Sequence, residues 1–146
     1  KNAKMSAVRQ KNTIPEQRVK NLLEAEQVSF STNVRGLPGS PDILIEKTNL
    51  AIFIHGCFWH RHGCRYSSFP KTNTDFWRAK FTRNVERDKN KVKQLNSLGY
   101  YTLIIWQCET DCTTKINSLI HKIATTPPHD LLNDRTISQP SSPPDI

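Results

Sequence analysis

Hydrophobic positions change period along this chain, and each change marks the edge of an element. Val19, Leu22, Leu23 and Ala25 recur at helical spacing behind Thr13-Ile14-Pro15-Glu16. That opening carries a Thr N-cap, a Pro in the first turn and a Glu three residues after the cap, so a helix is expected to about Glu26. Residues 28–34 (VSFSTNV) alternate with a period of two, as a half-buried strand does, and RGLPGSP then breaks the pattern. The β-branched runs DILIE (42–46) and LAIFIH (50–55), separated by KTN, read as a hairpin. Asp75 stands as a cap before a long charged helix over 76–98 that stops at Gly99. YYTLIIW (100–106) has the profile of a buried strand, and a last helix is expected over 113–124.

The order helix, three strands, helix, strand, helix implies an α/β layer fold with a mixed sheet. From Thr125 the periodicity disappears. The final 22 residues hold five of the nine prolines and no Phe, Tyr or Trp, the composition of a disordered tail. One domain is therefore expected over 1–124, with a basic arm at 1–13 and a Pro-rich tail at 125–146.

Charge adds a partner to this picture. The chain of 146 residues carries 21 Lys+Arg against 13 Asp+Glu, a net +8 that suits a polyanion. Residues 1–20 hold six basic and one acidic residue, and residues 78–93 hold seven and two. Solvated helix faces would account for such blocks equally well. No apolar run approaches the ~20 residues of a membrane span, and the N-terminus has no secretory leader pattern. A soluble, cytoplasmic protein is expected. In that setting four cysteines (57, 64, 108 and 112) point to metal binding rather than disulfides.

The chemistry concentrates in IHGCFWHRHGC, residues 54–64, which hold three of the five histidines and two of the four cysteines. Cys57, His62 and Cys64 offer three zinc ligands, and zinc takes four in a closed tetrahedral site. Cys108 or Cys112 can complete it. His55 and His60 fall outside that set, and imidazole is the side chain that titrates nearest neutrality, suiting a general base. Upstream, Asp42 follows Pro41 at the start of an apolar strand. A strand-end carboxylate beside a second oxygen ligand is how Mg²⁺-dependent nucleases hold their metal, although Pro-Asp is also an ordinary turn.

Taken in order, PDILIE, IFIHGCFWHRHGC, FWRAKFTRNVERD and LIIWQCE resemble the very-short-patch repair (Vsr) mismatch endonucleases over about residues 1–124. The resemblance implies a restriction-endonuclease-like mixed β-sheet flanked by helices, with a structural Zn²⁺ and a catalytic Mg²⁺. It implies nicking of double-stranded DNA on the 5′ side of the T in a T:G mismatch, the lesion left by deaminated 5-methylcytosine. By position, Asp42 and the backbone carbonyl of Ile54 would hold Mg²⁺, His60 would be the general base, and His55 and Glu16 would assist. Cys57, His62, Cys64 and Cys108 fall on the zinc-ligand positions, which leaves Cys112 out. Phe58, Trp59 and Trp77 would form a wedge entering the base stack, with Met5 reaching in from the opposite groove. A cytosine-5 methyltransferase as functional partner, a monomeric state and a place at the bacterial nucleoid also follow from the resemblance.

Some residues depart from that pattern. Ile54 stands where Thr is expected, which a carbonyl ligand tolerates, and Arg61 and Gly63 interrupt a histidine run. The Glu-x-Lys of ordinary restriction nucleases is missing after Pro-Asp, which argues against double-strand cleavage. Glu16 is also fully explained as the Glu of a T-x-x-E capping box. The competing reading is a zinc-stapled DNA-binding protein without catalysis, which would need neither Asp42 nor His60.

Overall fold

A computed structural model describes residues 13–64, 68–131 and 137–138. Met5 and nearly all of the basic arm lie outside the described residues. In chain order the elements are α1 (Ile14–Ala25), β1 (Ser31–Thr32), β2 (Ile43–Ile45), β3 (Leu50–His55), α2 (Cys57–His60), α3 (Thr74–Ser97), β4 (Tyr101–Trp106), α4 (Gln107–Thr110), α5 (Thr113–Thr125) and β5 (Ile137–Ser138). They form a mixed sheet in the spatial order β1-β2-β3-β4-β5. Only β3 and β4 run parallel; the other neighbours are antiparallel.

The predicted helix 14–26 forms for the expected reason: the Thr13 hydroxyl accepts the Glu16 N–H at 3.4 Å, and Val19 and Leu23 turn inward. The hairpin also forms, with Asn49 in the left-handed conformation at its turn. The strand expected over 28–34 shrinks to Ser31–Thr32, because Gln27 (φ 61°) and Asn33 (φ 51°) interrupt the extended backbone. The long helix begins at Thr74 rather than behind Asp75. Asn73 is the cap residue, and Asp75 lies in the first turn, where a carboxylate suits the helix dipole and bonds Arg78 at 3.2 Å.

Alternation along the strands divides the core between two faces. Ile43, Ile45, Leu50, Ile52, Leu103 and Ile105 point toward α1 and α5. Leu44, Ala51 and Phe53 point the other way, onto Leu95 of α3. The α/β architecture is thus a sheet covered on both sides, with α3 serving as the crossover between parallel strands.

The Pro-rich tail departs from expectation. α5 runs through Thr125, Pro128–Asp130 form a 3₁₀ turn, and Leu131 is 2% exposed within the core. Ile137 and Ser138 then pair with Leu103 and Thr102 of β4. Low average hydropathy hid one leucine that seals the α5 face and a short segment that caps the edge of β4. Disorder from residue 125 is therefore incorrect for these residues. Among the described residues no helix is long and apolar enough to cross a membrane.

Candidate active site and metal cluster

The parallel pair β3/β4 builds the site. Their register places His55 beside Trp106, so both strands end level. Each end continues into a one-turn helix, α2 after β3 and α4 after β4. Cys57 and Cys108 each lie two residues past this shared line, and they converge although 51 positions apart.

Donor atoms of Cys57, His62, Cys64 and Cys108 all lie within 4.8 Å of one another. His62 Nδ1 is 3.6 Å from Cys57 Sγ and 3.4 Å from Cys108 Sγ. A tetrahedral ion at about 2.3 Å from sulfur and 2.0–2.1 Å from nitrogen needs those donors roughly 3.5 Å apart, so the set fits a thiolate-imidazole metal. Cys112 stands at the N-cap of α5 and is not in the cluster. Burial pushes the Cys57 thiol up to about 12 and raises that of Cys108 as well. Binding must therefore release protons, as metal-coupled sites do.

On the β2 side of β3, Asp42 Oδ2 accepts the N–H of Ile54 at 2.7 Å. A strand residue presents its N–H and C=O to the same side, so the Ile54 carbonyl faces the same edge as this carboxylate. Burial raises the Asp42 carboxyl to about 6; the Ile54 bond opposes this, the Glu16 charge adds to it, and Lys20 and His60 pull it back. Glu16 is 2% exposed with Oε2 3.2 Å from Lys20 Nζ, a burial that its capping role does not require. Buried Glu16 and half-buried Asp42 are thus electrostatic neighbours, an arrangement suited to a cation.

Ionised Asp42 costs stability while no cation is bound. Its proton is held more tightly folded than unfolded, so this contribution is present in full below the unfolded value of 3.8 and is lost as pH rises through about 6. Asp42→Asn keeps an acceptor for Ile54 and removes the charge. It is expected to stabilise the Mg²⁺-free protein at pH 7 by on the order of 1–3 kcal/mol, a gain that shrinks as pH falls toward 4. Thermal unfolding at several pH values measures this. An Asn variant no more stable than the parent at pH 7 would show that the carboxylate is not strained by its burial.

The two catalytic candidates from the histidine segment stack. The rings of His55 and His60 lie 3.8 Å apart and 11° from parallel. His55 is buried and held down to about 3 by that burial and by the His60 charge, so it is neutral near pH 7, and its Nδ1 has no hydrogen-bond partner among the described residues. His60 Nδ1 meets Asp88 Oδ2 at 2.5 Å. Burial acts to raise Asp88, but the His60 bond and the charges of His55, His60 and Lys91 outweigh it and leave it below the usual range. Asp88 is therefore a carboxylate that accepts the Nδ1 proton, so Nε2 is the ring nitrogen left for acid-base work. His55, His60 and Asp88 also group closely enough to ligate an ion, though the short His60–Asp88 bond favours the acid-base pairing.

Asp88 is the residue that sequence reasoning missed. It sits 28 positions from His60, inside the basic block of α3, with nothing local to distinguish it from a solvated acid. Trp106 was also unassigned. Its ring stacks on His62 (4.2 Å, 7°) and meets His55 edge-on (5.3 Å), joining the metal cluster to the histidine pair.

Phe58 and Trp59 lie on α2, and both are half-buried. They pack edge-to-face on each other (5.1 Å) and against Trp77 of α3 at 5.9 Å each. Asn84 of α3 donates to the Trp59 carbonyl at 3.3 Å. The three proposed wedge residues are therefore one cluster, with Phe76 beside them 57% exposed.

Comparison with known proteins agrees with the resemblance. The profile of the family described as DNA mismatch endonuclease Vsr matches residues 1–66. The chain is 43% identical to the type II nicking enzyme V.XorIIP of Xanthomonas oryzae pv. oryzae, over 72% of this chain and 77% of the relative. It is 39% identical to DNA mismatch endonuclease Vsr of Escherichia coli K12, over 71% and 67%. With the type II nicking enzyme V.NmeAIP of Neisseria meningitidis serogroup A it shares 36% over 82% and 88%.

Proposed function

Since the chain belongs to the Vsr family of DNA mismatch endonucleases, we propose that it nicks duplex DNA on the 5′ side of the T in a T:G pair. The observation that carries this reading is the convergence of an acidic edge, Asp42 with Ile54, and a carboxylate-oriented imidazole, His60 with Asp88, beside an aromatic cluster. A zinc-stapled binder has no use for a half-buried strand-end carboxylate and an oriented base, so the catalytic reading is preferred.

The residues divide the work. Asp42 and the Ile54 carbonyl would hold Mg²⁺, which when bound neutralises charge developing on the scissile phosphate. His60 Nε2 takes the proton of the attacking water while Asp88 holds the ring and stabilises its charged form. Neutral His55 supports that ring from beneath and is placed to hydrogen-bond the phosphate. Glu16, paired with Lys20 at 3.2 Å, orients water at the acidic edge. Cys57, His62, Cys64 and Cys108 would hold Zn²⁺ and so fix the turn that carries His60. Basic residues of 1–20 and 78–93 would hold phosphates. A monomer, with a cytosine-5 methyltransferase setting the sequence context, completes the proposal.

The direct test offers duplexes with T:G in varied contexts, supplies Mg²⁺ and maps the breaks. Single nicks 5′ to the mismatched T are expected. Cuts in both strands, or none in any context, would end the proposal.

The wedge makes a separate prediction. An inserted ring costs a few kcal/mol of unstacking per step, and that cost is lowest where pairing is already weak. Base–aromatic stacking is worth ~1–3 kcal/mol, so Trp59→Ala should lower the T:G to T:A binding ratio by about five- to a hundred-fold. Removing a phosphate-binding Lys or Arg should instead weaken both duplexes alike and flatten the salt dependence. If Trp59→Ala and Trp77→Ala both leave the ratio unchanged, the aromatics serve packing alone.

A further inference from the structure

Arg61 ends α2 in the left-handed conformation, φ 55° and ψ 58°. A residue without Cβ suits that backbone best, and Gly63 takes a positive φ two positions later. What an arginine adds here is its side chain. The guanidinium lies 4.1 Å above the ring of Phe81 on α3, 5.7 Å from Phe58 on α2 and 5.6 Å from Phe69. Its Nη1 donates to the Phe58 carbonyl at 3.1 Å and to the Ser68 carbonyl at 3.5 Å. One group therefore ties together three chain segments and bonds a carbonyl near the end of the four-residue α2.

We propose that Arg61 is a positioning residue for mismatch discrimination, clamping the Phe58–Trp59 turn to α3 so that its aromatic edge is set before DNA arrives. The inference rests on the proposal that this edge enters the stack beside the mismatch. The candidate zinc ligands would fix the backbone on either side of the turn, at Cys57 and at His62 and Cys64, but the His62 ring stacks on Trp106 rather than on Phe58 or Trp59. The clamp supplies that restraint. A planar guanidinium can lie flat on one ring while its in-plane N–H groups reach carbonyl oxygens beside it; an ammonium can attract the ring but cannot make both contacts in that geometry. A ring held beforehand loses less rotamer freedom on insertion. Insertion is used in the mismatched complex, so the benefit appears as discrimination rather than as general DNA affinity.

The test measures binding to T:G and T:A duplexes without Mg²⁺, so that nothing is cut, for the parent, Arg61→Gly, Arg61→Lys and Phe81→Leu. Glycine relieves the left-handed backbone, which protects folding while removing the clamp. Lysine keeps the charge, and leucine removes the ring face under the guanidinium. All three should retain zinc and lower the T:G to T:A ratio by about three- to thirty-fold, the range a partly desolvated cation–π contact supports. Arg61→Gly combined with Phe81→Leu should lose less than the sum of the two, because the guanidinium–ring contact is common to both. A parental ratio in Arg61→Lys would overturn the clamp, since charge alone would then suffice. So would a lowered melting temperature with an unchanged ratio, which marks a purely structural arginine. If the parent itself does not distinguish the two duplexes, the mismatch proposal fails and takes this inference with it, an outcome readily told apart from loss of the clamp alone.

Discussion

Nicking should vanish in Asp42→Ala and in His60→Ala, while preference for the mismatched duplex survives in both. In the proposed division of work, binding rests on the aromatic cluster and the basic residues, neither of which contains these two side chains. Loss of a general base alone is worth roughly 10²–10⁴ in rate. Losing Asp42 removes the carboxylate that bonds the Ile54 N–H at the end of β3, so its effect should be at least as large, and added Mg²⁺ should not restore activity. Asp88→Asn gives an internal control. The amide cannot stabilise a charged imidazole, so rate should fall with His60 still present, and by less than in His60→Ala. Single-turnover nicking with enzyme in excess separates these effects from binding. Asp42→Ala or His60→Ala cutting at near the parent rate would remove that residue from its role.

The second large effect concerns the metal cluster. Cys108→Ser should lose zinc and melt at a lower temperature, whereas Cys112→Ser should do neither. Zinc affinity is coupled to folding, with ~10–16 kcal/mol of apparent binding in isolated zinc-finger peptides. Here the sheet has its own core, so the loss should fall mainly on the turn carrying Phe58, Trp59 and His60. Nicking and mismatch preference should therefore fail together in Cys108→Ser, unlike in His60→Ala. Metal analysis and thermal unfolding of the two variants decide the matter. Zinc lost from Cys112→Ser and kept by Cys108→Ser would reverse the ligand assignment.

Much of this protein can be read locally. The cap of α1, the hairpin β2–β3, the apolar strand β4 and the three close ligands Cys57, His62 and Cys64 depend on residues within a few positions of one another, where sequence spacing is spatial spacing. Averages over longer windows misled. The tail reads as disordered by composition, yet one buried leucine and two paired residues suffice to attach parts of it to the fold.

By itself, then, the sequence determined which chemistries are present: thiols and imidazole for a soft metal, a strand-end carboxylate, spare histidines, a run of aromatics and an excess of positive charge. Spacing alone left Cys108 and Cys112 as equal candidates, and only the resemblance to a family separated them. The tertiary structure makes that distinction physically, because the parallel register of His55 with Trp106 brings Cys108 level with Cys57 and leaves Cys112 a helix away. It also selects Asp88 from the acids of α3 and lays Arg61 across rings from three segments. The reason is common to all three. Pairing of parallel strands, and the face a crossover helix turns toward them, are fixed by burial of the whole sheet, and no short stretch of sequence contains that information.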